Sequence, residues 1–209
     1  MAQFFAIHPE NPQPRLIRQA AEIVRAGGVI VYPTDSCYAL GCHIGDQAAE
    51  RQIREIRQVQ SDHHFTLACR DLSEIAHYAR VDNQQFRMLK AATPGSYTFI
   101  LQATREVPRR LQHAKRATIG LRVPQHRVAQ ALLQELGEPI LSATLLLPGD
   151  ELPLNDAEEM RERLEKHVAL IMDAGSCGVT PSTVIDLSGD FPQVLRRGRG
   201  DLTLFGLEH

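Results

Sequence analysis

No CxxC pair occurs among the four cysteines, Cys37, Cys42, Cys69 and Cys177. Their spacing matches no compact metal-ligand motif, so free thiols in or near a core are expected. No apolar run approaches the roughly 18 residues of a membrane span. The N-terminus, MAQFFAIHPENPQPR, lacks the charged start and long apolar segment of a signal peptide. A cytoplasmic protein without membrane contact is expected. Neither sign of charge dominates: 23 Lys and Arg stand against 25 Asp and Glu, for a formal net charge of -2. Nothing global announces a nucleic-acid binder, although such a sum can hide a local patch. GxGxxG and GxxxxGK[ST] are absent, which removes the dinucleotide fingerprint and the usual P-loop. HExxH and the GxSxG elbow are missing too, and no repeat or dividing linker is evident.

What is present suits a globular chain. Its 209 residues, 43% of them hydrophobic and 23% charged, allow one sizeable core, and one domain over residues 1–209 is expected. Arg15 to Ala26 carries Leu16, Ala20, Ile23 and Val24 at helical spacing and ends at Gly27-Gly28. Val29 to Tyr32 follows as a strand. Further helices are predicted over Asp46–Arg57, Asp71–Tyr78, Asn83–Ala92, Arg127–Leu136 and Ala157–Lys166. Further strands are predicted over Phe65–Cys69, Tyr97–Leu101, Thr118–Val123, Val168–Met172, Ser182–Leu187 and Gln193–Leu195. Ala6–Pro14 and Gln58–His64 read as loops, and Ile140–Leu147 as an apolar segment. The short turn between the last two strands favours an antiparallel pair, whereas parallel neighbours need a long crossover. The fold class expected is therefore α/β, with a twisted mixed parallel and antiparallel sheet and flanking helices.

Several constellations interrupt the pattern. Pro33-Thr34-Asp35-Ser36 sits where a strand ends, the place where open α/β sheets gather ligands. An Asp-centred turn bonding its own backbone is the structural alternative. Without a glycine-rich loop, phosphate binding would rest on hydroxyls and on arginine, whose planar fork makes paired charge-assisted bonds. Arg122 lies inside the otherwise apolar strand TIGLRVP and needs a partner or a wet cleft. Arg196, Arg197 and Arg199 cluster in LRRGRG. Arg105, Arg109, Arg110, Lys115 and Arg116 share a stretch with the single acidic residue Glu106 and no interleaved aromatic; this is either a charged surface loop or a contact for a nucleic-acid backbone. His63-His64 reads as an ordinary loop pair. Ser182-Thr183 opens a strand after a glycine loop, as Thr34 and Ser36 follow one.

In order along the chain, GGVIVYPTDS, PGSYTFIL, TIGLRVP, PSTVIDL and LRRG resemble the YrdC/Sua5/YciO family from Gln13 to Gly198. The resemblance is nearest to the YciO branch, whose members are short and lack the extra domain of longer Sua5 proteins. It implies a twisted mixed α/β fold around a positively lined cavity. It also implies synthesis of L-threonylcarbamoyladenylate from L-threonine, bicarbonate and ATP, with Mg2+ accompanying the nucleotide. Partner enzymes then carry the group to adenosine 37 of tRNA. By the same resemblance, Thr34, Arg122, Thr144 and Ser182 lie on the threonine side, and Arg57, Thr118 and Arg196 on the nucleotide side.

Three positions depart from the family pattern. Its Lys-x-Arg element reads Arg57-Gln58-Val59, its Ser-Ala-Asn element reads Thr144-Leu145-Leu146, and its tyrosine-glycine reads Tyr38-Ala39. A lost charge-assisted bond costs about 1.5 to 3 kcal/mol, so the departures predict a weakened synthase. The alternative is an RNA-binding protein, for double-stranded RNA, tRNA or the ribosome, that keeps the cavity without the chemistry.

Overall fold

The computed structural model describes residues 1–60 and 63–207. Ser61 and Asp62, inside the loop expected over Gln58–His64, lie outside the described residues.

Helix signals near the N-terminus act as read. α1 (Pro14–Arg25) begins on a proline whose missing N–H costs nothing at a first turn. It ends where the Gly27 N–H bonds the Val24 carbonyl and the Gly28 N–H bonds Ile23, with Gly27 at φ +88°. That paired closure requires a left-handed residue, and glycine supplies it without strain. β2 (Ile30–Tyr32) follows at once. β3 (Ala39–His43) then returns antiparallel to β2. α2 (Gln47–Arg57) starts from Asp46, whose carboxylate accepts the Ala49 N–H at 2.9 Å. Asp71, Asp82 and Asp156 cap α3 (Leu72–Tyr78), α4 (Asn83–Ala92) and α6 (Ala157–Leu164) in the same way. α5 (Arg127–Leu136) closes on Gly137 at φ +70°.

The sheet is mixed, as expected, and among the described residues it holds ten strands where seven are expected. The remaining strands are β1 (Gln3–Ala6), β4 (Thr66–Ala68), β5 (Tyr97–Gln102), β6 (Thr118–Arg122), β7 (Ile140–Thr144), β8 (Leu170–Asp173), β9 (Thr183–Asp186) and β10 (Gln193–Arg196). Their order is β1-β8-β2-β3-β7-β4-β6-β5-β9-β10. β1 with β8, β8 with β2, β4 with β6, and β5 with β9 run parallel. β9 and β10 are antiparallel, as their short connection requires.

Three strands lay outside the reading, and each has a reason. β1 is a short edge strand that acquires its ladder only from the distant β8. β3 follows the polar PTDS break directly, which masks its start. β7 was visible only as apolar sequence, because a strand buried on both faces shows no alternation.

Successive side chains of a strand point to opposite faces. Ile30 and Tyr32 of β2, with Leu170 and Met172 of β8, join Ala20, Val24, Val128 and Leu132 in a core under α1 and α5. Val31 and Ile171 point the other way, into a larger core with Ile53, Ile75, Leu89 and Met160 from the other four helices. All four cysteines are free; Cys37, Cys42 and Cys69 are buried. No helix among the described residues is long and apolar enough to cross a membrane.

Candidate functional site

The same alternation builds a cavity. Thr98 and Ile100, Thr118, Gly120 and Arg122, Ser142 and Thr144, and Ser182 and Val184 are sets at spacing two on or beside neighbouring strands, and all line one space of about 250 Å³. Gly120 sits close under Thr66 and Thr98: a Cβ there would come within 3.2 Å of the Thr66 hydroxyl. Thr34 and Cys37, between β2 and β3, complete the wall, and Arg57 enters from the last turn of α2. All seven residues assigned above by resemblance, Thr34, Arg57, Thr118, Arg122, Thr144, Ser182 and Arg196, line this one cavity. Sequence reading missed Thr98 and Ser142. His63 and His64, expected as ordinary loop residues, both line the cavity with His113. No pattern at His63-His64 signalled this; the loop is brought there by the strand that follows it.

Arg122 is only 8% exposed. It donates to the Asp35 carboxylate at 2.5 Å and to the Ser36 hydroxyl at 3.1 Å. Asp35 in turn accepts from the Ser96 hydroxyl at 2.7 Å. The charge inside the apolar strand therefore found a buried counterion. Its Nε, however, is buried without a hydrogen-bond partner. Such a group costs free energy unless something supplies an acceptor.

The PTDS turn is centred on its threonine rather than its aspartate. Thr34 Oγ1 donates to the Cys37 carbonyl at 2.6 Å and accepts the amides of Ser36 and Cys37. Asp35 is thereby released to face Arg122. Ser182 Oγ meets Thr98 Oγ1 at 2.8 Å and accepts from Arg196 at 3.2 Å. At the deep end, the Tyr32 hydroxyl bonds Ser142 at 2.6 Å, and burial pushes its pKa up to about 12. Burial also raises the Cys37 thiol, which stays protonated near neutrality despite lining the cavity.

Arg57 and Arg196 differ from Arg122. Arg57 donates to the Leu146 carbonyl at 3.3 Å and bonds His63 Nε2 at 3.1 Å. Leu146, which departs from the family's asparagine, thus still anchors an arginine through its backbone. Arg196 donates to the Ser182 carbonyl at 3.0 Å. Neither arginine meets a carboxylate among the described residues. Burial, and then the charge of Arg196, hold Arg57 below its ordinary pKa; burial and Arg122 do the same for Arg196. Among the described residues the lining contains four arginines, Arg57, Arg116, Arg122 and Arg196, and no Asp or Glu.

The basic stretch is partly committed elsewhere. Arg110 pairs with Glu50 at 2.9 Å and Arg116 with Asp186 at 2.7 Å, while Arg105 reaches only Glu106. The four arginines and the buried hydroxyls fit a ligand carrying several anionic groups.

The family model Sua5_yciO_yrdC, described as Telomere recombination, matches residues 22–198. YciO of Escherichia coli (strain K12) is 60% identical over 205 residues, covering 98% of this chain and 100% of that protein. Its crystal structure matches with a TM-score of 0.94 over 98% of this chain and 100% of that one. A threonylcarbamoyl-AMP synthase of Chromobacterium violaceum is 33% identical over 180 residues, 86% of this chain and 92% of its own length. The crystal structure of P. abyssi Sua5 complexed with L-threonine matches at 27% identity with a TM-score of 0.85, covering 93% of this chain and 57% of that chain.

Proposed function

The chain belongs to the Sua5/YciO/YrdC family, in its YciO branch, and from that premise we propose that its cavity makes L-threonylcarbamoyladenylate from L-threonine, bicarbonate and MgATP. The observation that carries the reading is the convergence of Arg57, Arg122 and Arg196 with the hydroxyls of Thr34, Thr144 and Ser182 on one cavity whose lining, among the described residues, holds no carboxylate. A ligand that carries a carboxylate and phosphates matches those cations, as the threonine and ATP of a synthase require.

The residues divide by chemistry. Arg122, with the hydroxyls of Thr34, Thr144 and Ser182 around it, orients the amino acid. The Thr34 hydrogen is already given to Cys37, so Thr34 acts mainly by shaping the turn. Arg57 and Arg196, without carboxylate partners among the described residues, meet the phosphates, with Thr118 beside them on β6. Bicarbonate adds to the threonine amine to give a carbamate and water. A carbamate oxygen attacks the α-phosphorus, and pyrophosphate leaves with the bond electrons. Two fixed cations at the phosphates stabilise that developing charge, and no residue need act as a nucleophile.

Magnesium fits as part of the nucleotide. Among the described residues the lining offers hydroxyls but no carboxylate, and no cluster of three His, Cys, Asp or Glu makes a metal cage. Mg2+ suits delivery on ATP phosphates, because it is reluctant to shed water for an all-protein site. The missing second cation at Val59 and the apolar side chain of Leu146 make the turnover slow. The product is an acyl phosphate, which suits transfer to tRNA adenosine 37 by partner enzymes.

The test is pyrophosphate release by the purified protein. Release that needs both L-threonine and bicarbonate supports the synthase. Folded protein that binds MgATP yet shows no such dependence sinks it. The RNA-binding reading has less support, since Arg110 and Arg116 of its basic stretch are engaged by Glu50 and Asp186.

A further inference from the structure

The rim of the cavity is made by two segments far apart in sequence. One carries His63, His64 and Phe65; the other carries Leu111, His113 and Arg116. Neither is a regular strand or α-helix along its length. Backbone bonds tie the second segment to its own neighbours, the His113 N–H to the Thr118 carbonyl and the Ala117 N–H to the His113 carbonyl, both at 2.8 Å, whereas side chains join the segments to α2.

Both segments run to one carboxylate. Glu50 is 7% exposed and lies on α2. Its Oε1 accepts from Arg54 Nη2 at 3.0 Å and Nε at 3.3 Å. Its Oε2 accepts from Arg110 Nε at 2.9 Å. Each arginine then passes the constraint on. Arg54 Nη1 donates to the carbonyls of Gln60 at 2.9 Å and His63 at 3.0 Å, and its guanidinium lies 4.4 Å over the Phe65 ring. Arg110 Nη2 donates to the Ile44 carbonyl at 2.9 Å, which ties the second segment to the turn before α2. The two rims also touch, with the His64 and His113 rings 4.8 Å apart. Arg57, one turn beyond Arg54, reaches the cavity from the same helix.

We propose that Glu50 is a positioning residue: it fixes both rim segments against α2 and so sets the geometry in which Arg57, His113 and Arg116 face an incoming nucleotide. A carboxylate suits the task because its two oxygens can serve two guanidinium groups at once, whereas an amide offers one oxygen and turns a donor toward the other arginine. The consequence for nucleotide binding rests on the synthase reading above; the consequence for rim order does not.

The experiment compares wild type, E50Q and R110M by hydrogen exchange and by calorimetric titration with MgATP. In E50Q, peptides carrying His63–Phe65 and Leu111–Arg116 exchange faster together, while α1 and α5 keep wild-type rates. MgATP binds about tenfold more weakly, the equivalent of about 1.4 kcal/mol. In R110M only the Leu111–Arg116 peptide speeds up. Wild-type exchange in both segments of E50Q, or faster exchange spread evenly through α1 and α5, overturns the proposal. So does MgATP affinity in folded E50Q equal to that of wild type. Should E50Q not fold, R110M decides: unchanged exchange at Leu111–Arg116 overturns the proposal. Failure of the wild type to bind MgATP counts against the synthase reading alone, because the exchange result still decides the role of Glu50.

Discussion

Arg122 and the pair Arg57 and Arg196 occupy the same cavity and do opposite things with their charge. Arg122 is buried, neutralised by Asp35, and left with one unsatisfied donor. Arg57 and Arg196 bond carbonyls and a hydroxyl and meet no carboxylate among the described residues; burial holds both below their ordinary pKa, with the charge of Arg196 adding to it at Arg57 and that of Arg122 at Arg196. The difference teaches that one end of the cavity is held in shape by its charge, while the other keeps its charge for a ligand. A paired cation orients; an unpaired one attracts.

The largest effect expected is at the paired end. R122M leaves the Asp35 carboxylate, whose side chain is 11% exposed, without its counterion. Breaking a buried pair from one side costs about 3 to 5 kcal/mol, so urea unfolding at pH 7 should show a loss of that order. Adding D35N should recover most of it, since the stranded charge is then gone. A single R122M as stable as wild type would mean that the ion pair does not shape this end.

The opposite is expected at the other end. R57A and R196A should each weaken MgATP binding about tenfold, a loss of about 1.4 kcal/mol. Their urea midpoints should stay near wild type, because no carboxylate is abandoned. Calorimetric titration beside urea unfolding separates the two quantities. A large stability loss with intact binding would erase the contrast between the ends.

The smallest effect sharpens the comparison with a third arginine. Arg116 lines the cavity but pairs with Asp186, as Arg122 does with Asp35. Burial pushes the Asp186 carboxyl up, but the Ser188 hydroxyl and amide and the Arg116 guanidinium outweigh it and leave the pKa below its ordinary value. A carboxyl depressed in the fold stabilises fully above its unfolded pKa, about 3.9, and that contribution fades as pH falls through the folded value. D186N should therefore lose a small amount of stability at pH 7 and flatten the acid-induced loss below about pH 4 by the same amount, so that the two proteins converge at low pH. Parallel acid-unfolding curves for wild type and D186N would show that the Arg116 pair contributes nothing measurable.

Much of the scaffold was legible. Asp46 and Gly137 mark helix ends because each acts within four residues of itself, through one amide or one left-handed turn. The order of five short motifs pointed by resemblance to the fold and to Thr34, Thr118, Arg122, Ser182 and Arg196, and Arg57 and Thr144 followed from the two elements that depart from the family pattern. What stayed hidden was mostly pairing. β1 looks like a loop until β8 supplies its ladder. The stretch Arg105–Arg116 looks like a strip of free cations until Glu50 and Asp186 claim two of them. PTDS suggested an aspartate-centred turn, yet the threonine hydroxyl made the turn and left the aspartate to Arg122.

The sequence by itself determined the helices, most strands, several caps and the mixed sheet. Those follow from periodicity, backbone preference and hydrogen bonds that close within a turn. Only the tertiary structure decided which arginines are neutralised and which remain open to a ligand. Asp35 meets Arg122 across 87 positions, Glu50 meets Arg110 across 60, and Asp186 meets Arg116 across 70. An ion pair depends on distance in space, and no local pattern in the chain encodes that distance.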